Sequence, residues 1–199
     1  MGTALMDTPL AQLPVAAIDF ESAGAAPGET DCPVQIGIVR ANSLFDKAET
    51  FTSYIHCTRP VCWSAAKVHG ITTAQLADAP AFGDLWPHIQ RLLSGCVVVG
   101  HNPATEMRFL SVFPGHGFGP WLDTLLLARK ALPGLKEHSL GKVCEALRIT
   151  AQIDTLVPGK CWHDALYDAA GSLELLRALT RGLHMEQAPL RGLSFAISQ

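Results

Sequence analysis

A chain of 199 residues is sized for one domain built on a single continuous core. Hydrophobic residues at 48% against 17% charged exclude a disordered chain. A net charge of −3 excludes attraction to nucleic acid by the whole protein, but not a local groove whose field bound cations would reverse.

In chain order, residues 1–12 read as a loose leader. Val15 to Phe20 is an unbroken apolar run closed by acid and then by Ser22-Ala23-Gly24, which predicts a central strand entering a loop. Residues 25–33, with Pro27, Gly28 and Pro33, form a turn region. Val34–Arg40 and Glu49–Ile55 are two further strands joined at Asn42-Ser43, so the chain opens as an antiparallel meander. Thr72-Thr73-Ala74-Gln75 is a capping box, and Phe82, Leu85, Trp86, Ile89, Leu92 and Leu93 then recur at helical spacing. Cys96–Gly100 is a short buried strand followed by a helix through Leu110. Leu122–Leu127 fits strand or helix equally. Ser139–Leu147 and Asp164–Leu179 are helical, and the tail after Gly182 has no clear period. The whole is one α/β domain, 1–199, with a core over about 14–180: three strands, then helices alternating with two more.

Cysteines stand at 32, 57, 62, 96, 144 and 161. The first ten residues lack the basic start and apolar stretch of a secretory signal, so reduced thiols in a cytoplasmic protein are expected. Cys57, Cys62 and His69 lack the paired spacing of a zinc site. No apolar run approaches the ~20 residues that span a bilayer, which excludes a membrane partner.

Three acidic stretches carry the chemistry. Residues two apart on a strand share a face, so Asp19 and Glu21 aim together while Phe20 faces away. A solvated pair at a strand end is the bland alternative, but α/β sheets place their ligands at the ends of such buried strands. In Gly100-His101-Asn102-Pro103-Ala104-Thr105-Glu106, Pro103 suits a first helical turn and puts Glu106 near the positive end of the helix dipole. In Trp162-His163-Asp164-Ala165-Leu166-Tyr167-Asp168, positions five apart on a helix diverge by about 140°. His163 and Asp168 meet only if His163 precedes the helix and Asp164 caps it; Asp164 and Asp168 form a rival i,i+4 pair.

Together and in this order, these stretches resemble the DEDDh 3′–5′ exonucleases, and within them the branch of the DNA polymerase III proofreading subunit. The resemblance runs over residues 14–180. It takes in Pro33-Val34-Gln35-Ile36-Gly37, Val68-His69-Gly70-Ile71-Thr72, Asp123-Thr124-Leu125 and Pro133-Gly134-Leu135-Lys136-Glu137-His138-Ser139-Leu140. It implies a ribonuclease H-like fold, a five-stranded mixed sheet flanked by helices. It implies two divalent ions, Mg²⁺ or Mn²⁺, on Asp19, Glu21, Glu106 and Asp168, with His163 as general base and Asp164 left as a cap. Phe20, Ser22, Gly24, His69 and Asn102 fall where the family cradles the terminal nucleotide, and Asp123 and His138 in supporting positions. The implied partners are single-stranded DNA or RNA 3′ ends, with a DNA polymerase and a second copy of the chain both left open.

The chain departs from the family in one place: Glu106 stands where Asp is usual, one methylene longer. The reading is an active, slower enzyme. The alternatives are a silent module that grips a nucleic-acid end or a polymerase, and a hydrolase of small nucleotides. Retention of His163 favours the enzyme, since a binder needs no base. Lys136, Lys142 and Lys160 read as solvated lysines. Gly115-His116-Gly117-Phe118-Gly119 is a connector, because it joins no strand to a helix.

Overall fold

A computed structural model describes residues 3–25 and 28–198. After the short helix α1 (Thr3–Asp7), strands β1 (Val15–Ser22), β2 (Pro33–Ala41) and β3 (Glu49–Tyr54) form the expected antiparallel meander. Helices α2 (Trp63–His69) and α3 (Trp86–Leu93) lead to β4 (Val97–Gly100) and α4 (Ala104–Leu110). The ambiguous 122–127 segment is both things in turn: β5 (Trp121–Asp123) runs directly into α5 (Thr124–Ala131). Helices α6 (Leu140–Ala146), α7 (Thr150–Leu156) and α8 (Ala165–Gly182) complete the flanking layers.

The sheet order is β3-β2-β1-β4-β5-β6, with β1–β4 and β4–β5 parallel. The five expected strands are therefore joined by a sixth, β6 (Ile197–Ser198), antiparallel to β5. Two residues are too few to leave a period-2 signal in the sequence, which is why the tail read as featureless. The leader is corrected too. It holds α1 and a 3₁₀ turn over Leu10–Gln12. Its Leu10 N–H donates to Ala188 O at 3.1 Å, and Leu190 N–H donates to Thr8 O at 3.1 Å. The two ends of the chain thus seal the core together. Pro27 of the expected turn lies outside the described residues.

Alternation along β1 divides the core. Val15 and Ala17 pack with α5, α6, α7 and α8, while Ala16, Ile18 and Phe20 pack with α3 and α4. Asp19 and Glu21 continue the α8 face past the point where apolar packing stops. α8 buries most of one side along its length, from Ala165 to Thr180. At about 1.5–3 kcal/mol for each fully buried large apolar side chain, this is the principal anchor of that layer. No helix among the described residues is long and apolar enough to cross a membrane.

The expectation of thiols reduced throughout is corrected: Cys32 and Cys57 are joined in a disulfide, and Cys62, Cys96, Cys144 and Cys161 are free. Cys32 lies just before β2 and Cys57 just after β3, so antiparallel pairing brings them together across a sequence distance of 25. Both belong to the small cluster around Ala23, Val34, Ile71 and Leu76.

Candidate active site

β1 outruns its parallel neighbour. It pairs with β4 only through Ala17, so its last residues have no strand on that side. The Glu106 carboxylate, buried in the first turn of α4, lies near enough to the end of β1 for the Phe20 backbone to favour its ionised form. A side chain from the first turn of α4 thereby reaches the central strand. Glu106 is 6% exposed, deeply buried for an acid. The α4 entry is shaped by Gly100, where a Cβ would stand 2.8 Å from Pro103 Cβ. Asn102, with φ +65°, has its N–H held by Asp123 Oδ1 at 3.0 Å, and the same oxygen caps α5 through Leu125 N–H at 2.8 Å.

On the other face, α8 brings Asp168. Asp164 caps the helix by accepting from Leu166 N–H at 3.1 Å, and its second oxygen takes Gln35 Nε2 at 3.1 Å and Lys160 Nζ at 2.7 Å. These bonds occupy Asp164, so the rival pairing of Asp164 with Asp168 gives way to a cap. The Gln35 side-chain oxygen Oε1 in turn accepts from Ala165 N–H at 3.1 Å. Gly37 lets the helix start sit directly on β2, since a Cβ there would lie 2.3 Å from the Ala165–Leu166 backbone. His163 precedes the helix in a left-handed conformation, φ +69°, and its N–H donates to Asp168 Oδ2 at 3.3 Å. The Trp162 ring, lodged against Gly141 and Gly171, anchors the turn that carries it.

One ligand atom from each of Glu21, His163 and Asp168 falls within 4.8 Å of the other two. Asp19 is linked to the same group by charge. Burial raises its carboxyl well above the ordinary range, and Glu106, Asp168 and Glu21 add to this. Burial, with Asp168 and Asp164 behind it, pushes Glu21 up to about 8. Burial also lifts Asp168 to about 7 against the opposing His163 N–H, and Glu106 to about 7 against backbone hydrogen bonds. Glu21 and Asp168 thus stand together with His163, while Asp19 and Glu106 are tied to them by charge, Glu106 being partly offset by Arg108.

The nucleotide-cradle residues divide. Ser22 and Gly24 line the strand exit, with Gly24 at φ +74°. Phe20 does not border the cleft with its ring; it is buried edge-on to Phe82 and Phe109, because alternation turns it to the opposite face. His69 donates from Nε2 to Ser22 O at 3.0 Å and accepts from Ile71 N–H at Nδ1, also 3.0 Å. Both ring nitrogens are thereby used to fix the cleft wall. His138 braces the loop: its carbonyl meets His101 Nε2 at 2.8 Å, while His101 Nδ1 lies 3.0 Å from Thr124 Oγ1. Lys142 pairs with Glu145, as befits a solvated lysine, whereas Lys160 pairs with the Asp164 cap. A cavity of ≈ 480 Å³ opens beside His163 and Asp168, lined also by Ser139, Leu140 and Trp162.

Gln35 and Gly37 seat the start of α8, a task that the family-like segment alone does not assign to them. Two signals were present: an amide inside an apolar strand, and a glycine in a strand interior, which marks close approach of another backbone. Trp162 gave no such sign.

A mixed sheet with converging carboxylates at the end of its central strand defines a ribonuclease H-like hydrolase. The chain belongs to the exonuclease family whose model matches residues 16–176, within the DEDDh group. It is 34% identical over 191 residues to a DNA polymerase III subunit epsilon-like protein of Rhodobacter capsulatus, covering 91% of this chain and 26% of that protein. It is 30% identical over 177 residues to the DNA polymerase III subunit epsilon of Pasteurella multocida, covering 83% and 67%. With exodeoxyribonuclease 10 of Escherichia coli K12 it shares 34% identity over 150 residues, covering 73% and 63%. The chain therefore spans about a quarter of the Rhodobacter relative's length. Among solved structures it is similar to exonuclease X in complex with 5′ overhanging duplex DNA, with a TM-score of 0.71 and 26% identity over 90% of this chain and 99% of that one.

Proposed function

We propose that this chain is a metal-dependent 3′–5′ exonuclease that releases nucleoside 5′-monophosphates from single-stranded DNA or RNA ends. The observation that carries the reading is Asp168 Oδ1, a buried carboxylate oxygen with no hydrogen-bond partner among the described residues, set beside Glu21 and His163. An orphaned buried oxygen among acids is costly unless a cation takes it up. The donor set of hard carboxylate oxygens suits Mg²⁺ or Mn²⁺.

Asp19, Glu21, Glu106 and Asp168 would hold two such ions, which when bound supply charge neutralisation and Lewis-acid polarisation of the phosphodiester. The protein's own part is positional. β1 presents Asp19 and Glu21 side by side, α8 brings Asp168 from one face, and α4 brings Glu106 from the other. His163, exposed at the cleft rim, accepts the proton of the attacking water through a neutral imidazole. Ser22, Gly24 and Asn102 border the space left for the terminal nucleotide. The epsilon relatives favour a DNA polymerase as partner in the cytoplasm.

The test is to incubate the protein with 5′-end-labelled single-stranded DNA and RNA in Mg²⁺ or Mn²⁺. A ladder shortening from the 3′ end, abolished by EDTA and by Asp19→Asn, is expected. His163→Ala should remove most turnover while Mn²⁺ still binds. No shortening of any strand, with the fold intact, would leave the chain as a silent module that grips nucleic-acid ends or a polymerase.

A further inference from the structure

We propose that α2 is a platform for the single strand leading to the site, with Trp63 stacking on a base upstream of the terminal nucleotide and Lys67 meeting its phosphate. The proposal rests on the exonuclease reading of the site and deepens it.

α2 buries none of its residues, so it adds little to the core. Its first residue, Trp63, is 77% exposed, an unusual position for a side chain with so much apolar surface to hide. The ring is nonetheless held: Lys67, one turn later, places its ammonium 5.2 Å from the ring centroid. That contact engages one face of the indole and leaves the aromatic surface open to solvent. Lys67 makes no ion pair among the described residues, whereas Arg59 and Arg108 are tied to Glu29 and Asp31. An exposed aromatic beside an unpaired cation is the chemistry that binds unstacked bases and backbone phosphate without reading sequence.

Position argues for the strand as occupant. α2 is joined at both ends to the residues that follow Glu21. Cys62, just before Trp63, donates its N–H to Ala23 O at 2.8 Å, and a Cβ on Gly24 would stand 3.2 Å from Cys62 Cβ. At the far end His69 holds Ser22 O. Arg59 also reaches Gly24 O at 3.3 Å. The helix, roughly 10 Å long at 1.5 Å per residue, is therefore a continuation of the cleft wall. A strand whose last nucleotide occupies the space beside Ser22 and Gly24 has α2 as a neighbouring surface, and Trp63 is its one large exposed ring.

The experiment is fluorescence anisotropy with 5′-fluorescein oligothymidylate in Ca²⁺, comparing a dinucleotide with a strand long enough to pass α2. Trp63→Ala is expected to weaken the long strand by about tenfold and leave the dinucleotide unchanged, and Trp63→Phe to restore most of the affinity. Lys67→Ala should lower the salt dependence of long-strand binding by about one counterion. Melting curves matching the parent establish that the variants fold. The platform is overturned if the parent does not hold the long strand better than the dinucleotide, or if Trp63→Ala binds both as the parent does; α2 would then be free for a protein partner instead. Cleavage is assayed separately: a parent that shortens no strand yet loses long-strand affinity with Trp63→Ala would sink the exonuclease reading and sustain the platform.

Discussion

The two helices that deliver acids to the site do so by different means. α8 is long, capped by Asp164, clamped through Gln35, seated against Gly37 and preceded by an anchored Trp162. α4 is seven residues long and begins at Pro103 without a side-chain cap. Asp168 is therefore placed by backbone, and a short side chain suffices. Glu106 sits on the uncapped turn of α4 and extends toward the end of β1 through its own longer side chain. The contrast suits a longer acid on α4 and a shorter one on α8.

The comparison breaks most severely at Gly37. Gly37→Ala puts a methyl into the α8 backbone, and the helix start must move. A loss of about 3 kcal/mol is expected, typical of marked overpacking. At 2–4 °C per kcal/mol for a chain of this size, the melting temperature should fall by roughly 6–12 °C. Gln35→Leu comes next. It leaves the Ala165 N–H buried without a partner, at about 2 kcal/mol in denaturant titrations, and loosens the helix that carries Asp168. On the α4 side the effects are kinetic. Glu106→Ala should fold normally and lower the exonuclease rate at least about tenfold, or ~1.4 kcal/mol of barrier. Glu106→Asp should have the smallest effect, with a rate equal to or above the parent. If Glu106→Ala matched the parent in an assay where Asp19→Asn is dead, Glu106 would be only a helix-start residue that fills the gap beside β1.

Much of this was legible in the residues. The Val15–Phe20 run and its alternation into Asp19 and Glu21 follow from period alone; His163 ahead of a helix capped by Asp164 is one of two arrangements the angles allow, and the resemblance selects it. The 122–127 ambiguity was real, because the segment changes from strand to helix within it. What escaped were pairings between distant segments: Gln35 with Ala165, Cys32 with Cys57, Leu10 with Ala188. Each depends on sheet order, which local periodicity does not encode. The buried Phe20 ring followed from the same alternation that aimed the acids, but the resemblance, read by position, set it at the cleft.

The central claim is that the converging carboxylates are a cation site, and the melting temperature against pH, with EDTA and with Mn²⁺, tests it most directly. In the metal-free fold Glu21 at about 8, and Glu106 and Asp168 at about 7, hold protons that the unfolded chain has released from groups with ordinary values of 4.5, 4.5 and 3.8. The native state binds more protons in that window, so stability is fullest below about pH 4 and falls as pH climbs toward about 8. Mn²⁺ binds the ionised form and should reverse the trend. At pH 8, ion at about 100 times its Kd adds about 2.7 kcal/mol, or roughly 5–11 °C. A melting temperature that stays flat from pH 5 to pH 8 in EDTA, and does not move with millimolar Mn²⁺, would contradict the account.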